Sequence, residues 1–264
     1  MKIEEHPLVC RLCAEMRPRL ESVTPKDLLV KSAKDRHARA PKLTEEQNYN
    51  RYVLWYAWNL VESLRRLSTA KQYMGDFPKP KAYLKQGIAQ YDWIQYHYHM
   101  YIVSIFSLYD IALKLTNAVF RLGLPEREAK KNTVEENSWV KSTGTAELLK
   151  LLRQAIAQHT KERHSFIHEG DLVKLDEIDE DNLYELYLLE LCCIALRENI
   201  EITPAISADM LKNLSKPSVN VLLNKLSTEI ASLETQIARL FDRLLPVYEF
   251  WASYLKRPKQ NRGI

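Results

Sequence analysis

Arg163-His164-Ser165-Phe166-Ile167-His168 sets a guanidinium and an imidazole five residues apart, with a second imidazole beside the first group. A guanidinium is permanently charged, and its planar fork of donors matches a pair of phosphate oxygens. An imidazole moves protons near neutral pH. Together the two can act on a phosphodiester without a metal, one stabilising charge on the phosphate oxygens and the other exchanging protons with the attacking or leaving oxygen. Glu169 and Gly170 follow at once, and a glycine at that point is a C′ helix stop. The segment therefore reads as the end of a helix or a short helical turn with its side chains near a surface. On an ideal α-helix, however, Arg163 and His168 point about 140° apart. Spacing alone decides little, because a chain with this many arginines and histidines is expected to hold ~0.45 such pairs by chance. Arg153 and His159 form a second, looser pair inside a regular amphipathic run and read as accidental.

The surrounding sequence is helical. Apolar residues make up 46% of the 264, with only 6 glycines and 11 prolines, and strong helix formers dominate, so the fold class is all-α. A first helix covers about 7–22, interrupted near Pro18, and a basic, Pro-bearing connector runs to Lys42. Thr44 with Gln47 three residues later is a capping box that starts a helix to about Met74. Asp76-Phe77-Pro78-Lys79-Pro80-Lys81 is a break. The next helix, about 84–122, is aromatic and apolar and ends at Gly123 and Pro125. Within it Ser107, Asp110, Lys114 and Asn117 share one face. Such a stripe needs partners or a function, and an intrachain network is the simpler account. His97 and His99, two apart, face away from each other.

A charged, irregular stretch leads to Trp139. Thr143 or Thr145 then caps a helix carrying Leu148, Leu149, Leu152 and Ile156, which continues through the Arg163–His168 segment. An acidic loop over 176–181 and a leucine-rich helix over about 182–199 follow, closed by Pro204. Val219, Leu223, Leu226, Ile230, Leu233, Ile237, Leu240 and Leu244 step by four and three, a heptad seam that packs on another helix of this chain or of a second copy. Val247 and Trp251 extend the seam past Pro246, which is expected to kink it. The consecutive division is a helical extension over 1–80, a core over 81–205 and a long helix with a basic tail over 206–264.

The net charge of +4 is too mild to name a partner. Basic residues cluster over 17–42 and at Lys256–Arg262, where they suit a phosphate backbone or a solvated surface equally well. No uninterrupted apolar run approaches the ~20 residues of a membrane span, and the first residues lack a secretory apolar region. A cytoplasmic, non-membrane protein is the expectation. Cys10 with Cys13, and the adjacent Cys192 and Cys193, lack the spacing of a zinc site; buried apolar thiols are expected, with no metal and no cofactor.

From about Ile102 to Ile200 the chain resembles the HEPN superfamily, in particular its stand-alone prokaryotic branches. The features that carry the resemblance are the apolar helix with Tyr109-Asp110, the helix end Asn117-Ala118-Val119-Phe120-Arg121-Leu122-Gly123, Trp139, Leu148-Leu149-Lys150-Leu151-Leu152, and Arg163-His164-Ser165-Phe166-Ile167-His168. The resemblance implies a HEPN-like helical bundle, here with additional N-terminal helices and a long heptad-patterned C-terminal helix. It implies a metal-independent RNA endonuclease in which the 2′-hydroxyl attacks the phosphodiester, acting as a toxin or anti-phage effector. His168 would exchange protons, Arg163 would stabilise the transition state, and His164 would orient the phosphate or His168. Asp110, and more distantly Ser107 and Asn117, would support them. The implied partners are RNA, a second copy that completes a composite site, and an antitoxin or defence protein.

Three other readings stay open on the residues. The domain can be a HEPN-like binding or dimerisation module without activity. His164 and His168, four apart, have the spacing of two metal ligands on a helix, although no third ligand is evident. Arg163 can also simply pair with Glu162 or Glu169 at a helix end.

Overall fold

The structure, a computed structural model, describes residues 2–22, 43–78, 83, 86, 88, 90–169 and 208–257. Outside them lie several sequence expectations: the connector to Lys42, the Gly170 stop, the acidic loop over 176–181, the helix over 182–199 with Cys192 and Cys193, Pro204, and the tail from 258.

Every regular element among the described residues is helical. A 3-10 turn at Ile3–Glu5 precedes α1 (Pro7–Ser22). Then come α2 (Glu45–Gly75), α3 (Gln90–Phe120), α4 (Lys131–Val134), α5 (Ser138–Ser142), α6 (Thr145–Ala157), α7 (Thr160–His164) with a π turn at Ser165–Glu169, and α8 (Ala208–Lys256). The helix starts and stops follow local chemistry. Gln47 N–H donates to Thr44 Oγ1 at 3.1 Å and Thr44 N–H to Gln47 Oε1 at 3.0 Å, so the capping box is formed at both bonds. At the end of α3, Leu122 N–H donates to the Asn117 carbonyl and Arg121 N–H to the Ala118 carbonyl. This paired closure places the residue after the cap in the left-handed region, here Arg121 at φ 52°. An arginine is strained there, and its guanidinium is held by Glu45 at 2.8 Å and over the Trp251 ring at 4.9 Å. The stretch before Trp139 is largely irregular, as expected, broken by the single helical turn of α4, and α5 begins only at Ser138. Helical geometry also runs through Pro18 in α1, where an interruption was expected, and through Pro246 in α8.

The chain forms two compact units. One comprises Met1–Glu62, Leu108–Arg153 and Glu234–Ile264; the other comprises Ser63–Ser107 and Gln154–Leu233. The units are interleaved along the sequence, because α2, α3, α6 and α8 each contribute residues to both. In the first unit Leu8, Leu12, Val53, Leu60, Ile237, Phe241 and Leu244 are buried. The Tyr248 hydroxyl there donates to Asn50 Oδ1 at 3.1 Å, and the Tyr49 hydroxyl to the Val119 carbonyl at 3.0 Å. In the second unit Leu64, Leu67, Met74, Ile94, Ile102, Ile105, Leu226 and Ile230 are buried, and Lys71 Nζ donates to Ser227 Oγ at 3.0 Å.

Two consequences bear on function. The heptad seam is buried by this chain itself: Val219, Leu226, Ile230, Leu233, Ile237, Leu240 and Leu244 are all buried, with Leu223 half-buried. Among the described residues one helix, α3, is long and apolar enough to cross a membrane by length and composition, and half of that apolar window is buried within the protein.

Candidate active site

The Arg163–His168 segment lies wholly in the second unit. Helix α6 ends at Ala157, Gln158 and His159 form a joint, and α7 restarts at Thr160 for five residues. The backbone then changes to a π turn over Ser165–Glu169. This replaces the ideal α-helix assumed from sequence. A π turn closes hydrogen bonds five residues apart; it carries His168, while Arg163 and His164 are the last residues of α7. Arg163, His164 and His168 are exposed. The His164 and His168 ring centroids lie 4.9 Å apart. The Arg163 guanidinium sits over the Phe106 ring at 4.8 Å, and Phe166 stacks on His99 at 3.9 Å. Phe106 and His99 are seven apart on α3, two turns along one face, so α3 provides the wall on which the segment rests. Burial lowers the pKa of His99 and favours its neutral ring.

Next to this exposed group is a buried one that sequence reading missed. His159, taken as an accident of composition, is 2% exposed. Its Nδ1 lies 2.5 Å from Glu162 Oε2 and its Nε2 lies 2.7 Å from Glu229 Oε1. The Tyr101 hydroxyl and Gln158 Nε2 both donate to Glu229, each at 2.7 Å, and the Tyr98 hydroxyl donates to Glu162 at 3.4 Å. Burial opposes the charged ring, but bonds and charge from Glu162 and Glu229 outweigh it and raise His159 to about 9. Burial likewise opposes the Glu229 carboxylate, and His159, Tyr101 and Gln158 turn the balance to a lowered value. A cavity of about 510 Å³ lies alongside, lined in part by Gln154, Gln158, Lys225 and Glu229. One signal was available in the sequence: two tyrosines, Tyr98 and Tyr101, on the most apolar helix need partners for their hydroxyls once buried.

Two residues of the polar stripe on α3, Ser107 and Asn117, make local bonds. Ser107 Oγ donates to the Val103 carbonyl at 3.0 Å. Asn117 ties down the turn after α3, Nδ2 donating to the Leu124 carbonyl at 2.9 Å and Oδ1 accepting from Leu124 N–H at 3.2 Å. Asp110 is exposed. Ser107 belongs to the unit that carries Arg163, whereas Asp110 and Asn117 belong to the other. Glu162, a candidate partner for Arg163, is engaged with His159 and Tyr98. Cys10 and Cys13 are exposed free thiols, not the buried ones expected, because they fall on the outer face of α1 while Leu8, Val9 and Leu12 take the inner one. Among the described residues no group of three His, Cys, Asp or Glu is arranged to hold a metal.

The model of the Cthe2314-like HEPN family matches residues 44–203, more than half of the chain. The match begins at Thr44, the cap of α2, so it takes in a helix that sequence grouping had assigned to the extension over 1–80. No curated protein and no solved structure matches significantly.

Proposed function

Since the chain belongs to the Cthe2314-like HEPN family, we propose that it is a metal-independent endoribonuclease whose catalytic groups are Arg163 and His168, assisted by His164. The observation that carries the proposal is the exposed trio where α7 passes into the π turn, with its two imidazoles 4.9 Å apart and the Arg163 guanidinium over the Phe106 ring. His168 accepts the 2′-hydroxyl proton or returns one to the leaving 5′-oxygen. The Arg163 fork neutralises charge that grows on the equatorial oxygens as the pentacoordinate state forms. His164 holds the phosphate or the His168 ring in register.

One trio supplies a single face of a phosphodiester, and two copies would supply both. Tyr96, Met100 and Val103 on α3 and Ile167 in the π turn are exposed and apolar. Val103 lies on the same helical stripe as His99 and Phe106, the residues that carry the segment. Exposed apolar side chains concentrated there suit self-association, which would bring two trios together.

Purified protein is incubated with unstructured RNA in EDTA, beside His168→Ala. Cleavage by the wild type alone, leaving 2′,3′-cyclic phosphate ends, is the expected result. No cleavage by the wild type would turn the reading to a binding or dimerisation module, and cleavage lost in EDTA would turn it to a metal site. A role as toxin or anti-phage effector, restrained by an antitoxin or defence partner, is the setting we propose; induced expression should arrest growth for the wild type and not for His168→Ala.

A further inference from the structure

Helix α7 has five residues, too few to keep a helical shape or a direction without tertiary support. It connects to α6 through Gln158 and His159 alone, and the π turn behind it is a geometry that proteins seldom use. Contacts from outside the segment must therefore hold Arg163 and His168 in place. The ring contacts with Phe106 and His99 do so from α3. The polar contacts of Glu162 run to His159 and Tyr98.

Both ring nitrogens of His159 face carboxylate oxygens, at 2.5 and 2.7 Å. An ionised carboxylate only accepts, so each nitrogen must donate and the ring must be an imidazolium. The groups that face it come from three elements: Tyr98 and Tyr101 from α3, Glu162 from α7 and Glu229 from α8, with Gln158 from the joint. Lys225 lines the adjoining cavity one turn before Glu229. Glu162 immediately precedes Arg163.

We infer that His159 is a positioning residue for the Arg163–His168 site: by joining Glu162 to Glu229 it sets the direction of α7 and of the π turn that carries His168. Its effect on cleavage rests on the nuclease reading; its effect on the segment does not. Loss of the ring would leave two neighbouring carboxylates to separate or to protonate, and α7 would swing at the Gln158–His159 joint.

The test uses the full chain as wild type, His159→Gln, Glu229→Gln and His168→Ala, with two readouts. Amide hydrogen exchange over 160–169 should quicken about ten-fold or more in His159→Gln while peptides from α2 stay unchanged. The same variant should lower kcat about ten-fold with KM nearly unchanged. Glu229→Gln keeps the side-chain shape but supports the imidazolium less, so the alkaline loss of kcat should move to lower pH. Unchanged exchange at 160–169 in His159→Gln overturns the inference whether or not the protein cleaves RNA. Wild-type kcat in His159→Gln, or an unmoved alkaline limb in Glu229→Gln, also overturns it and leaves the nuclease reading intact. Faster exchange with no wild-type cleavage sinks the nuclease reading and upholds the positioning role.

Discussion

His159 and the pair His164 and His168 lie within ten residues of each other and live in opposite environments. His159 is enclosed, charged and held by two carboxylates; His164 and His168 are exposed, with their rings 4.9 Å apart. A fixed proton suits an imidazole that locks structure. A ring that exchanges protons must reach both solvent and substrate. On the proposed reading one residue type serves as clamp or as acid–base group according to burial and the charge of its neighbours, and the short helix α7 lies between His159 and the π turn.

Four experiments would break or sharpen this contrast. The largest effect is expected from His168→Ala, which should lower RNA cleavage by a factor on the order of 10²–10⁴ with an unchanged circular dichroism spectrum. Equal loss from His159→Gln, without the faster exchange at 160–169, would erase the distinction between the two histidines.

The second concerns stability. His159→Leu strands Glu162 and Glu229 and should cost about 3–5 kcal/mol, whereas His164→Leu on the exposed side should stay within about 0.5 kcal/mol; thermal unfolding of both variants decides. The same cluster predicts a pH dependence. The folded value of His159 lies above its unfolded one, so its contribution is complete below the ordinary histidine range and is lost as pH rises through about 9. Glu229 is shifted the other way, so its contribution is present above the ordinary carboxylate range and disappears as pH falls through its lowered value. A wild-type melting temperature flat between pH 8 and 10 would contradict a buried imidazolium.

Val103→Asp and Ile167→Asp provide the third experiment. Both add charge to the exposed apolar surface around the trio, and both should shift sedimentation toward monomer and reduce cleavage without lowering the melting temperature. The smallest effect is Thr44→Ala, which removes one bond of the capping box and should cost about 1 kcal/mol while leaving cleavage untouched, since Thr44 belongs to the other compact unit.

The helices were legible in the sequence because their signals are local. Thr44 and Gln47 are three residues apart, and the bonds they make are the bonds their spacing predicts. Gly123 and Pro125 marked the end of α3, and the heptad steps from Val219 to Leu244 marked a buried seam. The Arg163–His168 hexad was legible as a chemical possibility for the same reason. What remained hidden depends on partners far along the chain. Glu229 is 70 residues from His159, so nothing near His159 marked it as more than chance. The seam did not reveal whether its partner was this chain or another; burial within the single chain answers that. Asn117 sat in a polar stripe by periodicity, and only the path of the chain after Phe120 makes it a cap. Helical periodicity and capping are set by neighbours within a turn, so composition and spacing determine them. The charge state of a histidine, the turn that follows α7 and the choice of helix partner depend on burial and on distant groups, and tertiary structure alone decides them.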